Sequence, residues 1–144
     1  MTQTIKTQWE GNMLFNADTL GGNFKIDAAE ESGGQGKGVR PKALMLTSLA
    51  GCTGMDIISL LKKMRAEVDD LDINVSGELT DEHPKFYNKV TLEYIFYGTD
   101  LKKDKIEKAI ELSADKYCGV MEMFRQFAEI TTVIKYEEKK SSQV

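Results

Sequence analysis

An α+β fold, with antiparallel strands set apart from helices and one long central helix, is what the sequence predicts. Three observations carry that expectation. Period-two alternation of apolar and polar residues recurs in short segments at both ends of the chain, as half-buried strands require. A long apolar run from Pro41 to about Arg65 has helical rather than strand character. The order is strands, long helix, two strands, broken helix and strand, which does not read as a parallel doubly wound sheet.

Ile5, Thr7 and Trp9 alternate with Thr4, Lys6 and Gln8, a strand with one buried face. Gly11-Asn12 reads as a turn, Met13-Leu14-Phe15 as a second short strand, and Asn23 to Ala28 as a third after Gly21-Gly22. Together they predict an antiparallel meander joined by glycine turns. Glu30 to Arg40 holds Gly33-Gly34, Gly36 and Gly38, but Gly36-Lys37 is followed by Gly38. A phosphate-binding loop would end in Gly-Lys-Ser/Thr, so this segment reads as a mobile linker. Pro41 suits the first turn of a helix, where its missing N–H costs nothing.

That helix is apolar around much of its girth up to Ile58, the signature of a helix buried centrally or at a subunit interface. Lys62, Lys63 and Arg65 suit its C-terminus. Leu71 to Leu79 alternates cleanly, as do Val90, Leu92, Tyr94 and Phe96, so a hairpin-like pair is expected. His83-Pro84 marks the loop between them, where His83 reads as solvated. Asp100 to Lys116 predicts an amphipathic helix, interrupted at Cys118-Gly119 and resumed over Val120 to Phe127. Trp9, Tyr94 and Phe96 read as core or interface, and Phe124 and Phe127 as core near Cys118. Ile130 to Tyr136 closes the sheet, and about 137–144 is a polar tail.

At 144 residues, with 41% apolar and 29% charged, the chain fits a single domain spanning 1–144. A net charge of −4 and pI near 5.1 leave no basic footprint for nucleic acid. No stretch approaches the roughly 18 apolar residues of a membrane span, and the first residues lack the layout of a signal peptide. A cytoplasmic protein with no membrane partner is therefore expected. In a reducing compartment, the two cysteines, Cys52 and Cys118, are more often free, catalytic or metal-bound than a structural disulfide. A closed zinc site wants four ligands and His83 is the sole histidine, so neither metal nor cofactor is expected.

Cys52 lies within the most apolar helix between Gly51 and Gly54, and Cys118 at a helix break before Gly119. Glycine is unfavourable in a helix interior, so these flanks imply either close packing or open space near the sulfur. Amides opening the next helix can stabilise a thiolate at Cys118. Free cysteine is also among the most buried residue types, acting as a small hydrophobe. From the residues alone, redox work and packing both stand.

The run from Arg40 through Pro41, Leu44, Leu46, Leu49 and Gly51 to Cys52-Thr53 resembles the OsmC/Ohr signature, a proline-opened apolar helix carrying a reactive cysteine. Similarity continues through the strand from Leu71, the Lys85 to Val90 segment and Ala114 to Val120, covering about Trp9 to Tyr136. The resemblance implies an intertwined homodimer with central helices packed across the interface. It also implies a peroxidatic Cys52, a resolving Cys118, an organic hydroperoxide substrate and an external dithiol reductant. Two departures stand out. Lys42 occupies the place of the family's glutamate ten residues before the cysteine, and the family's more N-terminal arginine has no counterpart. Arg40, Lys37 or Lys42 are the candidate thiolate-activating cations that remain. Two other functions compete: a non-catalytic binding protein with an apolar pocket at the dimer interface, and a structural domain with packed cysteines.

Overall fold

The computed structural model describes residues 1–138 and is α+β; residues 139–144 of the expected polar tail lie outside the described residues. Its Cα packing divides the chain into two compact units, Met1–Met45 and the remainder from Leu46.

The first unit holds an antiparallel sheet in the order β1 (Lys6–Trp9), β2 (Phe15–Thr19), β3 (Gly22–Ile26). Two sequence expectations are corrected here. β2 begins where the expected strand was to end, because Asn16 and Asp18, poor strand formers, are paired on both sides, with Lys25 and Gln8 and with Asn23 and Lys6. Pairing context overrides intrinsic preference in such a central strand. β1 also has no buried face, and Trp9 is 64% exposed, its indole N–H donating to the Asn12 carbonyl at 2.8 Å.

The glycine-rich stretch after β3 is not a free linker. Asp27 is buried, and its carboxylate accepts the backbone N–H groups of Ala28 (2.8 Å), Gln35 (3.0 Å) and Lys37 (3.1 Å). Asp27 N–H donates to Val39, and Val39 N–H donates to Lys25, closing the loop back onto β3. Gly34 is required inside it, since a Cβ there would lie 1.7 Å from the Ala28 carbonyl oxygen. The donated N–H groups of Gln35 and Lys37 hold the Asp27 carboxyl below its ordinary range, because hydrogen bonds to the charged form favour that form.

The second unit is a sheet in the order β4 (Asp70–Leu79), β5 (Tyr87–Tyr97), β6 (Glu129–Glu137), covered by helices. β4 and β5 pair antiparallel as expected, but β5 and β6 are parallel. Parallel neighbours need a long crossover, supplied here by α2 (Lys103–Leu112) and α3 (Gly119–Arg125). Val90, Leu92, Tyr94 and Phe96 on β5 are all buried, and cluster with Ile106, Ala109 and Ile110 of α2 and with Met121 and Phe124 of α3.

The long helix α1 (Pro41–Lys63) contributes Leu49, Ile57 and Leu61 to that cluster, with buried Thr53 on the same stripe. These positions recur every four residues and so share one face. Its apolar girth is therefore only partly used within the chain. Ser48, Gly51, Met55 and Ile58, on the opposite face, are exposed, Met55 by 76%. By length and composition alone α1 could cross a membrane, which corrects the expectation that no stretch approaches a membrane span. Arg65 takes a left-handed conformation just beyond it, and Lys102 and Lys105 donate to the carbonyls of Arg65 (3.4 Å) and Met64 (2.9 Å). Cations suit this negative helix end.

Candidate functional site

Cys52 lies on the flank of α1, between the buried stripe and the exposed face. One turn further on, Asp56 shares that flank, as residues four apart do. Both side chains are half-buried. They are joined by Cys118, which arrives from the far end of the β5–β6 crossover. The two sulfurs and a carboxylate oxygen of Asp56 all lie within 4.8 Å of one another, and both cysteines are free thiols.

A short π-helical turn, Ser113–Tyr117, brings Cys118 there. This turn takes up the end of the expected Asp100 to Lys116 helix, and its wider winding appears in the bond from Cys118 N–H to the Ser113 carbonyl, 2.8 Å over five residues. Such turns recur at functional sites. Ser113 is buried, and its hydroxyl donates to Asp56 Oδ2 at 3.1 Å. One serine thus ties the carboxylate on α1 to the backbone of the second cysteine. Cys118 is the N-cap residue of α3, its sulfur accepting the Met121 N–H at 3.3 Å.

The two thiols sit in unequal surroundings. Cys118 is 4% exposed, whereas Cys52 is half-open. Burial pushes the Cys118 thiol up to about 11, reinforced by its hydrogen bond with Cys52 and by the charges of Cys52 and Asp56. The Met121 N–H pulls the other way without prevailing. Burial raises the pKa of the Tyr94 hydroxyl too, with Thr53 opposing that rise. Thr53 Oγ1 in turn donates to the Leu49 carbonyl at 3.0 Å.

The glycines flanking the cysteines divide between the two readings left open. A Cβ on Gly54 would meet Ile73 Cδ1 at 3.0 Å, so Gly54 serves helix-to-sheet packing. Gly51 and Gly119 face open space within this chain. Phe124 is core, as expected, whereas Phe127, also expected in the core, is 37% exposed; their rings are tilted by 44° with centroids 4.9 Å apart. His83 is exposed in the β4–β5 loop, as expected. Two surface cavities, one lined by Gly98, Asp100 and Tyr136 and the other by Leu61, Arg65 and Lys102, contain no cysteine. In the first unit, the Arg40 guanidinium donates to the Gly38 carbonyl at 3.2 Å, and Lys42 is exposed.

Asp56 was missed by the sequence reading. The signal was present, as it is the one carboxylate between Pro41 and Lys63, four residues after a cysteine.

Residues 34–133 match the family model described as OsmC-like protein. The chain belongs to the OsmC family. Among curated relatives, protein YhfA of Escherichia coli K12 is 30% identical over 126 residues, 88% of this chain and 92% of that protein. A crystal structure of a hypothetical protein from Aquifex aeolicus VF5 is 26% identical with a TM-score of 0.84, covering 97% of this chain and 99% of that one. An organic hydroperoxide resistance protein OsmC from Legionella pneumophila shares the fold at 16% identity and a TM-score of 0.70, covering 94% and 97% of the two chains. OsmC membership gives the cysteine pair a peroxide or redox-related setting.

Proposed function

We propose that this OsmC protein is a thiol-dependent reductase of organic hydroperoxides, with Cys52 peroxidatic and Cys118 resolving. The observation that carries the reading is the pair of free sulfurs within 4.8 Å, one half-open and one buried. The thiolate is the nucleophile, and the raised pKa of Cys118 leaves Cys52 to attack first.

The Cys52 thiolate attacks the distal peroxide oxygen, the O–O bond breaks, and the alkoxide takes a proton and leaves as alcohol. Cys52 becomes a sulfenic acid. The Cys118 sulfur then displaces hydroxide from it, which takes up the Cys118 proton and leaves as water, forming a disulfide. An external dithiol restores both thiols by exchange. Arg40 and Lys42 are the candidate thiolate-activating cations of this reading, each to be tested by substitution.

The same reading has the chain working as a homodimer in a reducing cytoplasm, with the exposed α1 face of Met55 and Ile58 covered by the second copy. Turnover of cumene hydroperoxide with a dithiol reductant tests the enzyme reading. Cys52→Ser should abolish turnover and Cys118→Ser should stop it after one cycle. A reduced wild-type chain that consumes no hydroperoxide would rule the reading out. Lys42→Ala with an unchanged Cys52 pKa would remove that residue from the activating set.

A further inference from the structure

A closed zinc site needs four protein ligands. An open zinc site needs only three protein donors and leaves a position for water or another ligand. Cys52 Sγ, Cys118 Sγ and an Asp56 carboxylate oxygen form such a set within 4.8 Å. In a tetrahedral site with Zn–S near 2.3 Å, donors sit about 3.8 Å apart, so the three need close by no more than roughly one ångström.

Three further features point to a cation. The carboxylate and one sulfur are four residues apart on one helix face, the spacing by which a helix offers two ligands to a metal. Ser113 holds the carboxylate by its hydroxyl and the Cys118 backbone by its carbonyl, and outer partners of this kind orient metal ligands. Asp56 has no ion-pair partner among the described residues. Two sulfurs and one carboxylate suit a soft or borderline ion, not magnesium or calcium, which call for oxygen shells.

We propose that the reduced chain binds one thiophilic divalent cation, of the zinc class, through Cys52, Cys118 and Asp56. Binding releases the two thiol protons. The same sulfurs make the cation and the disulfide mutually exclusive. A hydroperoxide acting on the loaded site would take two electrons from the two thiolates and two protons from solvent, giving disulfide, alcohol, water and free cation.

Metal binding at equilibrium does not depend on peroxide turnover, so each reading can fail alone. The test uses the untagged, full-length chain, reduced under anaerobic conditions. It is titrated with Co²⁺ as a spectroscopic probe, then with Zn²⁺ against a chromophoric chelator. Expected are one ion per chain, a sulfur-to-cobalt charge-transfer band and tetrahedral visible bands. Asp56→Asn should weaken binding by at least about tenfold. Cys118→Ser should remove about half of the charge-transfer intensity per bound ion, and prior conversion to the disulfide should abolish binding. Cobalt bound without a charge-transfer band would overturn the proposal, as would an Asp56→Asn chain with wild-type affinity.

Discussion

Alkylation of the two thiols should be strongly unequal, and the inequality can be worked from the environment of Cys118. A thiol with a pKa of about 11 is about 0.1% ionised near pH 8, against roughly 24% for an ordinary cysteine of pKa about 8.5. That alone slows reaction by about 240-fold. A more basic thiolate is intrinsically more nucleophilic, and a Brønsted slope near 0.45 over about 2.5 pH units returns roughly 13-fold. The net expectation is alkylation about twentyfold slower than an unperturbed thiol, before any hindrance from burial. The assay pulses the reduced chain with iodoacetamide, quenches, and digests with trypsin. Cleavage after Lys116 and Arg125 isolates Cys118, and cleavage after Lys42 and Lys62 isolates Cys52. The same chain unfolded in urea gives each reference rate. Native Cys118 should lag its unfolded rate by at least twentyfold near pH 8 and speed up about tenfold per pH unit above it. A native Cys118 that labels within a factor of two of its unfolded rate would refute the assigned roles.

Three other outcomes are expected. Thr53→Val removes the buried hydroxyl that donates to the Leu49 carbonyl, costing about 1 kcal/mol in urea denaturation. A Thr53→Val chain as stable as the wild type would contradict that contribution. Asp27 has a lowered folded pKa, so its contribution to stability is present above the ordinary carboxylate value of 3.8 and lost as pH falls through the lower folded value. The Gln35 and Lys37 amide signals should therefore report a midpoint below that of an ordinary aspartate, a response absent in Asp27→Asn; a midpoint at or above 3.8 would count against the loop account. Met55→Glu places a charge on the uncovered face of α1 and should shift sedimentation from dimer toward monomer. A wild-type chain that already sediments as a monomer would defeat the homodimer proposal.

The elements with one dominant period were legible in the sequence. The long apolar run opened by Pro41 marks α1, and the alternation from Val90 to Phe96 sets β5. β2 was not legible, because Asn16 and Asp18 owe their extended state to pairing on both sides. The parallel placement of β6 was missed because direction depends on how the whole crossover returns the chain, not on local pattern. The site divides the same way. Cys52 and Asp56 share a flank by helical spacing, so that half was readable and Asp56 was simply passed over. The approach of Cys118 depends on the crossover, the π-helical turn and the bond from Ser113 to Asp56, none of which leaves a periodic trace. The glycine beside Cys52 shows the same limit, since only the position of Ile73 tells the packing role of Gly54 from the open space at Gly51.

The most direct test of the cysteine chemistry needs no reductant and no turnover. The fully reduced chain is mixed with one molar equivalent of cumene hydroperoxide, quenched with an alkylating agent, and mapped by mass spectrometry. We expect loss of both thiols per chain, release of one equivalent of alcohol, and a disulfide-linked peptide pair containing Cys52 and Cys118. Two thiols still free, with the hydroperoxide intact, would contradict the redox pairing outright.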